Sequence, residues 1–143
     1  MGRPVSKQHL AEGIWPAAEP QQAMDCLYKA CRHLRDTPFA SVIFASQGEM
    51  RLSLAGVRCD LVDFRGGYAA RHDIARCEAA ADLYQGPLLA ENVYEWSSSW
   101  EAYYDIRYLD LLTVLVEHYS KVGNQAKASY YRSKLEAHTA TGR

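Results

Sequence analysis

Apolar positions follow two rhythms along this chain. Between residues 20 and 35 they come at three- and four-residue steps, so that Ala23, Leu27, Ala30, Cys31 and Leu34 line one side of a helix. Pro20 suits the first turn of that helix, where an N–H has no partner, and Asp36-Thr37-Pro38 stops it. Upstream, Ser6 can cap a shorter helix from Lys7 to about Ile14. Leu10, Ile14 and Val5 supply its apolar side, and Pro16 ends it. Trp15 is then expected to tuck between the two helices. From Val42 the period shortens to that of strands. Val42, Ile43 and Phe44, then Met50, Leu52 and Leu54, predict a hairpin joined by Ser46-Gln47-Gly48. Side chains alternate along a strand, so Arg51 points away from Met50 and Leu52. The expected core of this half is Trp15, Leu27, Leu34, Phe44 and Leu52.

The remainder reads as helical. Asp60 and Asp63, around Leu61 and Phe64, suggest a capped helix start that Gly66-Gly67 should weaken or bend. A helix is predicted over Ile74 to Tyr84, broken by Gln85-Gly86-Pro87. Asn92 to Ser99 connects to a long helix ending near Val122. Trp100, Tyr104, Tyr108, Leu111, Leu115 and Val122 form its stripe, and Tyr103, Leu112, Val116 and Tyr119 widen it, so burial on more than one side is expected. Gly123 stops this helix and Asn124 opens a last one, with Ala128, Tyr131 and Leu135 inward. A glycine between two helices with small residues at their crossing is the layout of a tetratricopeptide-type hairpin. The tail, TATGR, is expected to fray. The boundary between the halves is placed near residues 55–60, giving domains 1–56 and 57–143.

At 143 residues the chain holds one domain or two small ones. No apolar run approaches the roughly 18 residues of a membrane span, and the N-terminus lacks the apolar centre of a signal peptide, so no membrane partner is expected. Cys26, Cys31, Cys59 and Cys77 form neither a CxxC nor a Cys/His pair at zinc-ligand spacing; buried thiols in a reducing, cytoplasmic setting fit them. His9, His33, His72, His118 and His138 lack any HExxH context, and His118 on the long helix is expected to be partly buried. Ser97-Ser98-Ser99 is a capping run rather than a nucleophile, and Gly66-Gly67 lacks the Lys-Ser/Thr of a phosphate loop. An enzyme, a metal and a cofactor are therefore not expected. The net charge of −1 is unevenly spread: residues 1–58 hold seven Lys/Arg against five Asp/Glu, and residues 59–143 hold nine against twelve. A positive first half and an acidic second half have the sign expected of an N-terminal nucleic-acid contact.

Helix, helix, two-stranded wing is the order of a winged helix-turn-helix, a DNA-reading device. The helix over residues 20–35 carries Gln22, Asp25, Lys29 and Arg32 opposite its apolar face, with Tyr28 beside them. These residues, with Arg51 on the wing and Lys7 on the first helix, are the candidate DNA contacts. Base edges and phosphates ask for such donors and acceptors. Asp25 is the exception in sign: phosphates repel a carboxylate, although a cytosine amino group can donate to it. In the second half, Tyr94, Trp96, Trp100 and Tyr104 are the candidate partner-binding residues. Packing of the long helix is the plainer role for that aromatic cluster.

Two stretches carry a family resemblance. DIARCEAAADLYQGPLLAE over residues 73–91, YEW over 94–96, the long helix and VGNQAKASYYRSKL together resemble the bacterial transcriptional activator domain, a tetratricopeptide-like bundle, over roughly residues 57–139. GRPVSKQHLAEGIWP, AMDCLYKACRHLR and the hairpin resemble the C-terminal part of an OmpR-type winged helix, as found ahead of that domain in SARP/AfsR-like regulators. The resemblance implies a mainly α fold, a partial winged helix-turn-helix with a β-hairpin wing followed by a tetratricopeptide-like helical bundle. Met1 falls where the first helix of such a winged helix would have ended, so the N-terminal sheet and first helix are expected to be absent. It implies an activator-type transcriptional regulator that binds double-stranded DNA, with RNA polymerase or a second copy as protein partner. The other reading is a protein-interaction module whose truncated winged helix no longer binds DNA.

Overall fold

The computed structural model describes residues 3–38, 40–90 and 94–141. The fold is mainly helical, with six helices among the described residues and a small three-stranded antiparallel sheet. It divides into two compact units, Met1–Arg58 and Cys59–Arg143. No helix among the described residues is long and apolar enough to cross a membrane.

In the first unit, strand β1 (Val5–Ser6) leads into α1 (Lys7–Ile14), then α2 (Pro20–Arg35), a short 3-10 turn (Ala40–Val42), and strands β2 (Ile43–Ala45) and β3 (Glu49–Leu52). Ser6 caps α1, its Oγ accepting from the His9 N–H at 3.4 Å. Helix α2 begins on Pro20 and ends with Arg32, His33 and Arg35 in its last turn, where cations favour the carbonyl end of the helix. The two helices close on alanines: Ala11 and Ala23 are fully buried in one cluster with Leu27 and Met50. Leu10, Trp15, Met24, Cys31 and Ile43 pack around it. The Cys31 thiol lies 3.9 Å from Met50 Sδ and joins α2 to the sheet.

The strand order is β1-β3-β2. Val5 is not on the apolar side of α1, as its position suggests, but faces Met50 across the β1–β3 ladder. Two residues show no periodicity of their own; only the hairpin beside them makes them a strand. The expected core also needs correcting. Phe44 and Leu52 are each 45% exposed, and Met50 is the buried residue of the hairpin. Register gives the reason. Phe44 pairs with Arg51, and directly opposed residues share a face, so an outward Arg51 carries Phe44 outward with it. Leu52 shares the face of Met50 two residues further along, yet stays exposed. Leu34 is half-buried.

The second unit contains α3 (Asp60–Ala69), α4 (Ile74–Leu83), α5 (Ser98–Lys121) and α6 (Gln125–Thr141). Leu111, Leu112 and Leu115 of α5 are fully buried among Phe64, Cys77, Ala80, Ala81, Ala128 and Tyr131. The stripe expected on α5 is buried only in its middle, since Trp100 and Val122 at its two ends are exposed. The chain reverses at Gly123, where φ is +76°. The Asn124 N–H reaches the Tyr119 carbonyl at 2.9 Å and the Gly123 N–H the Ser120 carbonyl at 3.3 Å, which closes the helix end as a glycine C′ residue permits. Asn124 Oδ1 then accepts from the Lys127 N–H and starts α6, which runs back along α5. The tail expected to fray is helical as far as Thr141. Asn92, where the connector was expected to begin, lies outside the described residues.

Polar contacts pin these helices at fixed points. Glu78 Oε1 on α4 accepts from Tyr119 Oη of α5 at 2.8 Å, Tyr131 Oη of α6 at 2.9 Å and Lys127 Nζ at 2.7 Å. Burial pushes the Glu78 carboxyl up, but these three donors outweigh it and hold its pKa below the ordinary glutamate range. Elsewhere Tyr68 Oη of α3 donates to Asp110 Oδ2 of α5, which also pairs with Arg71. Cys77 is buried under α5, and desolvation pushes its thiol up to about 11.

Gly66 and Gly67 do not break α3, which is continuous through both. A Cβ on Gly67 would stand 2.6 Å from Ala80 Cβ and 3.0 Å from the Arg76 carbonyl oxygen, so the glycine lets α4 cross closely. Gly66 has nothing within 4 Å of a would-be Cβ. Gly66→Ala should therefore stabilise by roughly 0.5–1 kcal/mol, and Gly67→Ala should destabilise by roughly 1–3 kcal/mol. Opposite shifts in thermal midpoint are the expected outcome, and shifts of one sign would contradict the crossing.

Glu78 makes a second prediction. Its folded pKa is depressed below the unfolded value of about 4.3. The stabilisation is thus complete above that value and is lost as pH falls through the folded pKa. Glu78→Gln should cost on the order of 1 kcal/mol of stability at pH 7, read as a lower urea midpoint. The gap to wild type should narrow in acid. An equal gap at both pH values would contradict the assignment.

Candidate nucleic-acid interface

Helix α2 buries Ala23 and Leu27 and half-buries Met24, Ala30, Cys31 and Leu34. Its other side consists of Gln22, Asp25, Lys29 and Arg32, all exposed and separated by three- and four-residue steps. All four sequence-predicted side chains of α2 therefore share one face, directed away from the cluster that holds the unit together. Tyr28 borders this face and is 50% exposed. Lys7 joins it from α1: its ammonium lies 5.5 Å from the centre of the Tyr28 ring. The Lys7 N–H donates to the Gly48 carbonyl at 3.0 Å, so the start of α1 is held against the tip of the hairpin. Candidates on two helices are thereby brought together.

Arg51 lies on the outward face of β3 with its guanidinium 5.0 Å from the Phe44 ring centre. Register places Arg51 on the hairpin, opposite Phe44. Phe44 is the member that the sequence pattern misassigns to the core. Its signal was the strand alternation that turned Arg51 outward. Gln21 is the other unforeseen member. Its Nε2 donates to Asp25 Oδ1 at 3.4 Å, an i to i+4 contact on the helix surface.

Charge on this face is mixed. Lys29 and Arg32 share it with the carboxylate of Asp25, and Lys7 borders it beside Tyr28. None of these four charged side chains enters an ion pair among the described residues. Lys29 and Arg32, exposed and without a carboxylate partner among the described residues, are available to a phosphate backbone, and binding would release the counterions condensed there.

The partner-binding candidates of the second unit separate. Tyr94, Trp96 and Trp100 are 36–47% exposed. The Tyr94 and Trp96 rings stack with centroids 5.4 Å apart, and Trp100 meets Tyr103 edge-on. Tyr104 does not belong with them. It is only 7% exposed and packs edge-on against Phe64, because its position on α5 continues the buried line of Tyr108 and Leu111. It lines a cleft of about 410 Å³ together with Leu61, Phe64, Leu83 and Leu88. Ser97, expected as a capping residue, is fully buried, and its Oγ donates to the Tyr94 carbonyl and contacts Glu101 Oε1 at 2.6 Å. His118 is half-buried.

Tyr84 and His138 form a further polar group. Tyr84 donates to Asp105, and His138 Nε2 lies 3.3 Å from the other oxygen of that carboxylate. The Tyr84 ring stacks on Tyr108 at 4.0 Å. Burial, then the Asp105 contact, raises the Tyr84 pKa, so the hydroxyl remains a donor. Among the described residues, no group of three His, Cys, Asp or Glu side chains is placed to hold a metal ion. No protein-family model matches the chain, and no curated protein matches it.

Proposed function

We propose that the chain is an activator-type transcriptional regulator that binds double-stranded DNA. In this reading the first unit is a partial winged helix. Helix α2 enters the major groove, and the β2–β3 hairpin lies along the flanking backbone. The second unit, read as tetratricopeptide-like, contacts a protein partner, RNA polymerase or a second copy of this chain. A second copy would pair half-sites and add the affinity that one short module lacks. The single supporting observation is the outward face of α2. It gathers Gln22, Asp25, Lys29 and Arg32 opposite the buried Ala23 and Leu27, with Lys7 and Tyr28 at its border.

A second reading is a protein-interaction module without DNA binding. The observation that favours it is the exposed aromatic group Tyr94, Trp96 and Trp100 in the acidic second unit.

Fluorescence anisotropy with a random-sequence duplex at low and high salt separates the two readings. DNA binding should weaken steeply with salt. Converting Lys29 and Arg32 to alanine should lower affinity by about tenfold or more. It should also reduce the slope of log K against log salt by about two, one per lost phosphate contact. Unchanged affinity would remove α2 as the DNA face. Absence of binding at low salt would favour the interaction module.

A further inference from the structure

We infer that Asp25 sets a base preference at this interface, accepting a hydrogen bond from the amino group of a cytosine in the major groove. The inference rests on the DNA-reading role proposed for α2.

Asp25 sits at the middle of the outward face, opposite the buried Ala23 and Leu27. On a helix lying in a groove, that position is closest to the base edges. Lys29 stands four residues on, in the order that favours an i to i+4 ion pair. Yet neither Lys29 nor Arg32 comes within the 4.0 Å of an ion pair with Asp25. Among the described residues the carboxylate has one hydrogen-bond partner: Gln21 Nε2 donates to Oδ1 at 3.4 Å. Oδ2 has none among the described residues. Gln21 therefore acts as a positioning residue that holds one oxygen and leaves the other without a hydrogen bond among the described residues.

A carboxylate among phosphates is repelled unless the groove offers it a donor. Guanine presents O6 and N7 and thymine presents O4 there, all acceptors that repel it. Adenine presents its amino group beside the N7 acceptor, which opposes the second carboxylate oxygen. Cytosine presents the N4 amino group without an adjacent acceptor. Of the four bases, cytosine fits best. Lys29 and Arg32, one and two turns away, supply the donors that guanine or phosphate would accept.

The test is selection from a randomised duplex library by the full chain, by Asp25→Asn and by Asp25→Ala, followed by anisotropy on single-pair variants of the selected site. Far-UV circular dichroism checks folding, which the exposure of Asp25 should preserve. Wild type should prefer C·G at one position by about tenfold. Asp25→Asn should move that preference to A·T, since an amide pairs with adenine N6 and N7. Asp25→Ala should show no preference there. Selection of the same base by all three proteins would overturn the role of Asp25 and leave DNA binding by α2 standing. Failure of the wild type to bind any duplex at low salt would overturn both.

Discussion

One carboxylate oxygen, Glu78 Oε1, receives the hydroxyls of Tyr119 and Tyr131 and the ammonium of Lys127, so three helices of the second unit converge on it. The leucines of α5 press the helices together, but burial of apolar surface has no direction. The hydrogen bonds do. Both tyrosines are buried, and a buried hydroxyl without an acceptor costs about 1–3 kcal/mol. Their rings lie nearly parallel, 11° apart, with centroids separated by 5.9 Å, so the acceptor and the stacking select one arrangement of α5 against α6. The reversal at Gly123 makes this possible by bringing residues 119 and 131 alongside each other within a few residues of chain.

The first unit is organised by small residues and by register. Alanines at the α1–α2 contact leave little side chain between the helices, and Met50 closes the cluster from the sheet. The pairing of Ile43 with Leu52 and Phe44 with Arg51 decides which side of the hairpin meets the helices. A slip by one residue would exchange those faces. The same register sets Arg51 over Phe44 on the outer side. Packing and the proposed nucleic-acid contacts are thus divided between opposite faces of the same elements, and residues such as Lys29 and Arg32 can change without disturbing the core.

The two units also differ in what holds them. The second is tied by charged and phenolic groups between helices: Glu78 with Lys127, Asp110 with Arg71, and Asp105 with His138. Three of its acidic residues, Glu78, Asp105 and Asp110, are committed to those ties. On the outward face of α2, Lys29 and Arg32 have no carboxylate partner among the described residues, and the proposed role toward a polyanion rests on that contrast more than on the small net charge of either unit.

Most helices were legible in the sequence because their causes are local. Pro20 and Asp36 bound α2, Ser6 caps α1, Gly123 ends α5, and apolar residues at three- and four-residue steps fill the spans between. The outward group Gln22, Asp25, Lys29 and Arg32 was legible for the same reason, since helical spacing alone puts these residues on one face. What escaped depends on neighbours distant in sequence. Val5 and Ser6 become a strand only because β3 offers them a ladder. Phe44 reads as core by hydropathy, yet its pairing with Arg51 turns it outward. Gly67 reads as a weak point, yet Ala80 approaches so closely that only a glycine fits. Tyr104 falls both in the apolar stripe of the long helix and among the partner-binding candidates, and its packing against Phe64 decides for the stripe. Local spacing fixes what a helix shows on each side; only the tertiary structure decides which side another element covers, because that depends on contacts between residues far apart along the chain.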